Sequence, residues 1–241
     1  MKFKIAVTGY NCEKWIGKCL KSIKEQTYKD FDCVFIDDAS TDNTFEVACN
    51  TIGEDRRFKL LKHKQRRWSL ATTVHCIKEL NPEDDDVIVL VDGDDWLAHE
   101  KVLERVKEEY DKGAWATYGQ YIRDNRVGGC TKAYPEETVK KGNYREVQWA
   151  ASHLKTFKYF LFKRIKDEDF RDDKGEYLKA AQDQAIMLPI LEMAREKAHF
   201  IPDILYVYNT ENPLQIYKQD IKLSLECAKI VRSKAKYSPI R

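Results

Sequence analysis

The sequence predicts an α/β protein built on a parallel sheet with helices on both faces. Three observations predict it. Strand and helix patterns alternate as β-α-β-α-β-α-β from Lys4 to Val91. The run Val87-Ile88-Val89-Leu90-Val91 is apolar and almost wholly β-branched, as in a strand covered on both faces. Acidic residues follow two of the strands, Asp37-Asp38 and Asp92 to Asp95, and ligands of open α/β sheets bind just beyond such strand ends.

Lys4-Ile5-Ala6-Val7-Thr8 reads as the first buried strand, and Gly9-Tyr10-Asn11 turns the chain. From Cys12 to Gln26 the residues Trp15, Ile16, Cys19, Leu20 and Ile23 keep helical spacing. Phe31 to Ile36 is the second strand, and Ser40-Thr41-Asp42-Asn43-Thr44 supplies N-cap chemistry for a helix carrying Phe45 and Val47. Phe58 to Leu61 is a short third strand. Leu70, Val74, Ile77 and Leu80 mark a third helix that Asn81-Pro82 ends. After Trp96 the pattern changes. Val102, Leu103, Val106 and Tyr110 mark a helix, Ala114 to Ile122 a strand, and the polar stretch from Arg123 to Asn143 a loop. Trp149 to Phe157 and Phe160 to Ile165 read as strand then helix, and Asp172-Asp173-Lys174-Gly175 as a turn. Leu178 to Arg195 is mostly helical, with Pro189 kinking it or opening a new segment. Leu205 to Tyr208 is the last strand, and Ile221, Leu225, Ala228 and Ile230 mark a C-terminal helix.

With 241 residues the chain is long enough to bury a sizeable core, and no linker or repeat divides it. A net charge of +2 argues against a strongly basic nucleic-acid surface, so no nucleic-acid partner is expected. Seven cysteines, without a Cys-x-x-Cys, fall largely within apolar patterns; buried free thiols and a reducing, cytoplasmic compartment are expected. No apolar run reaches the length of a membrane span, and Met1 leads almost at once into a strand.

Asp92, Asp94 and Asp95 repel one another unless a positive charge lies between them. A hard divalent cation, Mg²⁺ or Mn²⁺, takes oxygen ligands and bridges to phosphates; the bland alternative is a solvated acidic turn. Asp38 at the second strand end is placed to accept from a ribose hydroxyl or a base N–H, whereas Ser40, Thr41 and Asp42 suit turn and cap chemistry. Neither Gly-x-Gly-x-x-Gly nor Gly-x-x-x-x-Gly-Lys-Ser/Thr is present, which disfavours dinucleotide-binding dehydrogenases and P-loop NTPases. The phosphates of any nucleotide would then be neutralised by metal and cationic side chains.

In order, Val7-Thr8-Gly9-Tyr10-Asn11, Ile36-Asp37-Asp38-Ala39-Ser40-Thr41-Asp42-Asn43-Thr44, Leu90-Val91-Asp92-Gly93-Asp94-Asp95-Trp96 and Gln182-Asp183-Gln184-Ala185 resemble the motifs of a family 2 glycosyltransferase with the GT-A fold. The resemblance implies a Rossmann-like, mostly parallel sheet flanked by helices, in one domain over 1–241. Residues 1–96 would bind the nucleotide, 97–215 the acceptor, and 216–241 would form the C-terminal helix. It implies an inverting, metal-dependent transfer from a nucleoside-diphosphate sugar, most readily a UDP-sugar, to a glycan, lipid-linked or protein acceptor. Thr8, Tyr10 and Asn11 would line the base pocket, and Asp38 would bind base or ribose. Asp92 and Gly93 would lie at the ribose and diphosphate, Asp94 with Asp92 would ligate Mn²⁺ or Mg²⁺, and Asp95 would support them. Asp183 would be the general base. Arg67 is carried over as a phosphate or base contact.

Some residues depart from the family pattern. Gly9 stands near where Pro is usual and leaves the turn looser, and Gln182 replaces an acidic residue before Asp183. No late His matches a further metal ligand, and His199 reads as structural. For the acceptor, Trp96, Gln120, Trp149 and His153 are the candidates, although aromatic residues and a lone His also serve structural roles. The alternatives are a nucleotidylyltransferase-like enzyme, which would need a basic glycine-rich loop after the first strand, and a nucleotide-sugar or glycan-binding protein without turnover.

Overall fold

The computed structural model describes residues 1–125, 128–129 and 131–240. The first half follows the expected alternation: β1 (Phe3–Gly9), α1 (Glu13–Lys24), β2 (Phe31–Asp37), α2 (Thr44–Ile52), β3 (Phe58–Lys62), α3 (Trp68–Glu79) and β4 (Val87–Asp92). The second half comprises β5 (Trp96–Leu97), α4 (Val102–Asp111), β6 (Ala116–Arg123), α5 (Glu136–Lys141), β7 (Lys155–Lys158), α6 (Tyr159–Phe162), α7 (Gln182–Ala194), β8 (Ala198–Tyr208), α8 (Ile216–Gln219) and α9 (Ile221–Ser233). Among the described residues these strands form one sheet in the order β3-β2-β1-β4-β7-β6-β8-β5. β3, β2, β1 and β4 run parallel, β7 is antiparallel to both neighbours, β8 is parallel to β6, and β5 is antiparallel to β8.

The period-two alternation of a strand explains the continuous apolar runs. Ile5, Val7, Cys33, Phe35, Val89 and Val91 enter the core shared with α1, α2 and α4. Ala6, Val34, Ile36, Ile88 and Leu90 enter the other core, with α3, α7 and α9. A sheet covered on both faces leaves these strands no polar side. The register pairs Thr8 with Asp92 and Gly9 with Asp37, so the acidic strand ends meet at one edge.

The second half differs from its sequence reading in several places. The polar stretch expected to be a loop contains α5, which packs toward the residues after α7. The strand expected from Trp149 starts only at Lys155, and the last strand starts at Ala198 rather than Leu205 because it continues beside β6 through register shifts on either side of Gln120, with the extra residues on β8. Leu178 to Ala181 lie outside α7, and the helix runs through Pro189 inside a fully buried segment. Strand β5, of two residues, was not expected. Cys12, Cys19, Cys33, Cys76 and Cys227 are buried free thiols and Cys49 is exposed; Cys130 lies outside the described residues. No described helix is long and apolar enough to cross a membrane.

The chain end is tied to the helix that carries Asp183. The Arg232 guanidinium donates to Gln184 Oε1 at 2.9 Å. Arg145 closes on Glu192 with Nε–Oε1 at 2.6 Å and Nη2–Oε2 at 3.0 Å, and the Tyr237 N–H adds a third donor at 3.0 Å.

Candidate active site

A cavity of about 320 Å³ opens where β1, β2 and β4 end. Its floor is set by a close approach of backbone. A Cβ on Gly9 would stand 2.8 Å from Cys12 Sγ, so Gly9 makes this turn tight, not loose. A Cβ on Gly93 would meet the Thr8 carbonyl oxygen at 2.9 Å; Gly93 packs the β4 end onto β1 and does not line the cavity. Thr8 and Tyr10 line it as expected. Asn11 does not: its side chain accepts from Thr41 N–H at 2.8 Å and holds the loop after β2.

Asp38 lines the cavity but is already engaged. Its Oδ1 accepts the Arg67 N–H at 2.8 Å and meets His63 Nδ1 at 2.8 Å, and its Oδ2 accepts the Trp68 N–H at 2.8 Å. Arg67 therefore contributes backbone, and its neighbour supplies a cation to the cavity, which Lys155 and Lys179 also line: the Arg66 guanidinium lies 3.8 Å from the Tyr10 ring centre and 3.9 Å from that of Trp68. Guanidinium between two aromatic faces forms a flat cationic wall.

Asp92, Asp94 and Asp95 share the cavity, but the ligand-spaced group differs from the expected pair. Asp92, Asp95 and His153 each offer an atom within 4.8 Å of the others. Asp95 is 1% exposed; its Oδ1 accepts the Asn209 N–H at 2.8 Å. Its Oδ2 is buried without a hydrogen bond of normal geometry, although the Tyr206 hydroxyl lies close enough to favour ionisation. Burial, then Asp94 and Asp92, push the Asp95 carboxyl well up. Asp94 accepts from Asn212 Nδ2 at 2.8 Å. Burial, then the Asp92 charge, lift Asp94 to about 6, although the cavity leaves part of its surface open. Asp92 is raised by burial and by Asp183, while Lys155 opposes the rise.

Lys155, which the sequence reading missed, opens β7 beside β4 and is 5% exposed. Its Nζ lies 3.2 Å from His153 Nδ1. His153 stacks on Tyr206 at 4.4 Å, and burial, then Lys155, hold its imidazole well below its usual pKa and hence neutral. A buried ammonium facing a carboxylate edge has no sequence motif of its own; only the antiparallel pairing of β7 with β4 delivers it here.

Asp183, in the first turn of α7, also lines the cavity and is near enough to Asp92 to act on its charge. The preceding Gln182 donates to Thr73 Oγ1 at 2.9 Å and so docks this helix start on α3. Four non-glycine residues with positive φ border the cavity loops: Asn11 (47°), Ala39 (64°), Trp68 (65°) and Ala181 (58°). Such backbone is costly and concentrates at functional sites.

Three expected acceptor residues lie elsewhere. Trp96 sits in β5 under the Lys18 ammonium, 3.5 Å from its ring centre. Gln120 donates to the Thr131 carbonyl at 2.8 Å, and Trp149 packs against the core. All three are large groups that the fold uses internally. His153 does line the cavity, together with Tyr208, Asn212 and Tyr217 from β8 and the segment after it, which no motif marked. His199 is structural, with Nδ1 3.0 Å from Glu109 Oε2.

Residues 4–171 match the family model described as Glycosyl transferase family 2. An uncharacterized glycosyltransferase of Haemophilus influenzae is 25% identical over 167 residues, covering 67% of this chain and 66% of that protein. Glycosyltransferase GlyA of Streptococcus pneumoniae is 26% identical over 218 residues, covering 86% of this chain but 30% of that one. Among solved structures, S. aureus TarS 1-349 in complex with UDP-GlcNAc superposes with a TM-score of 0.67 at 21% identity, covering 88% of this chain and 59% of that chain. The mannosyltransferase PcManGT from Pyrobaculum calidifontis, in complex with GDP-Man and Mn2+, gives 0.64 at 17% identity, covering 98% and 66%. The fold is thus that of these glycosyltransferases, and the chain spans about two thirds or less of each relative's length.

Proposed function

The chain belongs to glycosyl transferase family 2, and from that premise we propose that it moves a sugar from a UDP-sugar to an acceptor hydroxyl, with inversion and with the help of a divalent ion. The observation that carries the reading is the meeting, in one cavity, of three carboxylates at a strand end, a separate carboxylate from α7, and an aromatic-guanidinium wall. The S. aureus neighbour's UDP-GlcNAc supports a uracil base, and the archaeal neighbour's Mn2+ supports the metal.

The residues fit a divalent ion. Asp95 Oδ2 is a buried acceptor without a regular donor, and oxygen donors with one imidazole suit Mn²⁺ better than Mg²⁺. Asp92, Asp94, Asp95 and His153 would hold it. When bound, such an ion stabilises negative charge on a departing nucleoside diphosphate as a Lewis acid.

The chain's own groups do the remaining work. Tyr10, Arg66 and Trp68 sandwich the planar base or cover the phosphates. Lys155 offers an ammonium to the diphosphate, and in turning to it would release His153 Nδ1, whose lone pair it holds in the metal-free protein, as a ligand. Asp183 accepts the acceptor's proton as the hydroxyl attacks the anomeric carbon in line, from the face opposite the departing phosphate. In this reading residues 1–96, with His153 and Lys155, hold the donor, and the later strands β6 and β8 face the acceptor.

UDP with Mn²⁺ is expected to raise the melting temperature, and no shift with any nucleotide-sugar would sink the proposal. Asp183→Asn is expected to lower kcat by about 10²- to 10⁴-fold while UDP affinity stays within about threefold. Unchanged turnover in that variant removes Asp183 as the base.

A further inference from the structure

Beside the donor cavity lies a second one of about 460 Å³, lined by Tyr121, Arg123, Asn125, Tyr208, Thr210 and Tyr217. Tyr208 and Tyr217 belong to both cavities, so the two share a wall. Strands β6 and β8 build it. Tyr121 and Arg123 are two apart on β6 and lie on one face of the sheet, and the register sets Arg123 opposite Tyr208. The Tyr121 and Tyr208 rings meet at 5.8 Å, and each meets the His153 ring, at 5.9 and 5.7 Å. An aromatic wall therefore runs from the carboxylate cluster into the second cavity.

Arg123 does not follow from this packing. It is half-buried and its backbone pairs with β8, yet among the described residues its guanidinium makes no hydrogen bond, ion pair or ring stack. Other covered arginines of this chain are paired: Arg57 with Asp55, Arg105 with Glu109, Arg145 with Glu192. The adjacent Asp124 carboxylate is already taken by the Thr210 N–H at 3.0 Å and Oγ1 at 2.6 Å. The Lys218 ammonium is likewise spent on backbone carbonyls of Thr210 and Asn212. One guanidinium is thus left facing a cavity walled by tyrosines. Guanidinium forks match carboxylate and phosphate, and aromatic faces take the apolar faces of sugar rings.

We propose that this second cavity is the acceptor subsite and that it selects a saccharide carrying an anionic group, a carboxylate or a phosphate. Arg123 holds the anion, and the Tyr121, Tyr208 and Tyr217 rings hold the sugar, so that a hydroxyl of the same acceptor faces Asp183 across the shared wall. The inference rests on reading the first cavity as the donor site.

Ligand-observed NMR on the full chain, saturated with UDP and Mn²⁺, tests it with three probes: methyl β-glucoside, methyl β-glucuronide and glucose 6-phosphate. At least one anionic probe is expected to bind about tenfold or more tighter than the neutral glucoside, as a charge-assisted fork allows. Which one does so separates carboxylate from phosphate. Arg123→Gln is expected to bring that probe down to the neutral level. Equal binding of all three probes, or an anionic advantage that survives in Arg123→Gln, overturns the proposal. So does an anionic probe that binds the free protein and is displaced by UDP, because it then occupies the donor cavity. UDP affinity, titrated in the same wild-type and variant samples, keeps the two readings apart. Wild type that binds an anionic probe through Arg123 but never binds UDP defeats the donor reading, and with it the acceptor role, but leaves the anionic-saccharide site at Arg123 standing. UDP binding that stays within about twofold in Arg123→Gln, with the probe lost, supports both.

Discussion

The carboxylate of Asp38 accepts the backbone N–H of Trp68 at 2.8 Å, across 30 residues of chain. Trp68 has φ of 65°, so this bond, with the Arg67 N–H, pins an unfavourable backbone at the start of α3. The aromatic-guanidinium wall of Tyr10, Arg66 and Trp68, proposed above to take the base, depends on that pin. Asp38→Ala is expected to weaken UDP binding by about tenfold or more, since it leaves the part-buried Arg67 and Trp68 N–H groups without their acceptor, at up to about 1–3 kcal/mol each. Faster amide exchange at Arg67 and Trp68 should accompany the loss. A variant with slow exchange but weak UDP binding would instead assign Asp38 a direct ligand contact.

The carboxylate cluster is destabilised by its own buried charges, which a bound cation would offset. Asp95 is buried beside Asp92 and Asp94 without full compensation. Asp95→Asn removes that repulsion and keeps an oxygen for the Asn209 N–H. We predict that the metal-free variant melts higher than wild type and that its Mn²⁺-dependent shift with UDP is largely lost. Asp94→Ala is expected to abolish the same shift. A normal Mn²⁺ response in both variants would place the ion elsewhere.

The pH dependence has a definite sign. Burial, then Asp92, raise Asp94 from 3.8 to about 6 in the folded protein. A raised carboxyl binds its proton more readily when folded, so its contribution favours the metal-free fold at low pH and is lost as pH rises from about 4 to about 6. Metal binding runs the other way, because the ligand must be ionised. Mn²⁺ affinity in the presence of UDP should therefore fall as pH drops through about 6, where Asp94 takes up its proton. Calorimetry at pH 5 and pH 7.5 checks this, and an affinity unchanged between them contradicts it. Other carboxylates of the chain, such as Glu109, are held low by burial-opposing partners including Arg105 and His199, so the stability arm is read from the difference between wild type and Asp94→Asn.

The Arg145–Glu192 pair anchors the chain end. Glu192 is fully buried and its carboxylate takes two guanidinium donors and the Tyr237 N–H. Arg145→Met strands a buried carboxylate, and a loss of about 3–5 kcal/mol is expected in urea unfolding. Replacing both partners, Arg145→Met with Glu192→Met, should recover much of that loss. If the single variant unfolds like wild type, the pair does not hold α7 in place.

The local signals in the chain determined the first half of the fold and the strand-end placement of Asp38, Asp92, Asp94 and Asp95. Buried parallel strands demand apolar residues on both faces, and their carboxyl ends share one edge, so period and order were enough. The motif around Gln182 also marked Asp183, which lines the cavity. Beyond that the tertiary structure decided. Lys155 arrives through antiparallel pairing, Arg66 replaces Arg67 because the Asp38 pin turns the backbone, and Arg123 meets Tyr208 through a register between distant strands. Trp96, Gln120 and Trp149 have the chemistry of acceptor residues, but the fold spends them on ring, carbonyl and core contacts. Residue type and spacing report what a side chain is able to do along one strand or helix. Which groups face one another across 30 to 118 residues of chain is set by packing of the whole sheet, as in the bonds of Asp38 to Trp68 and of Asn212 to Asp94.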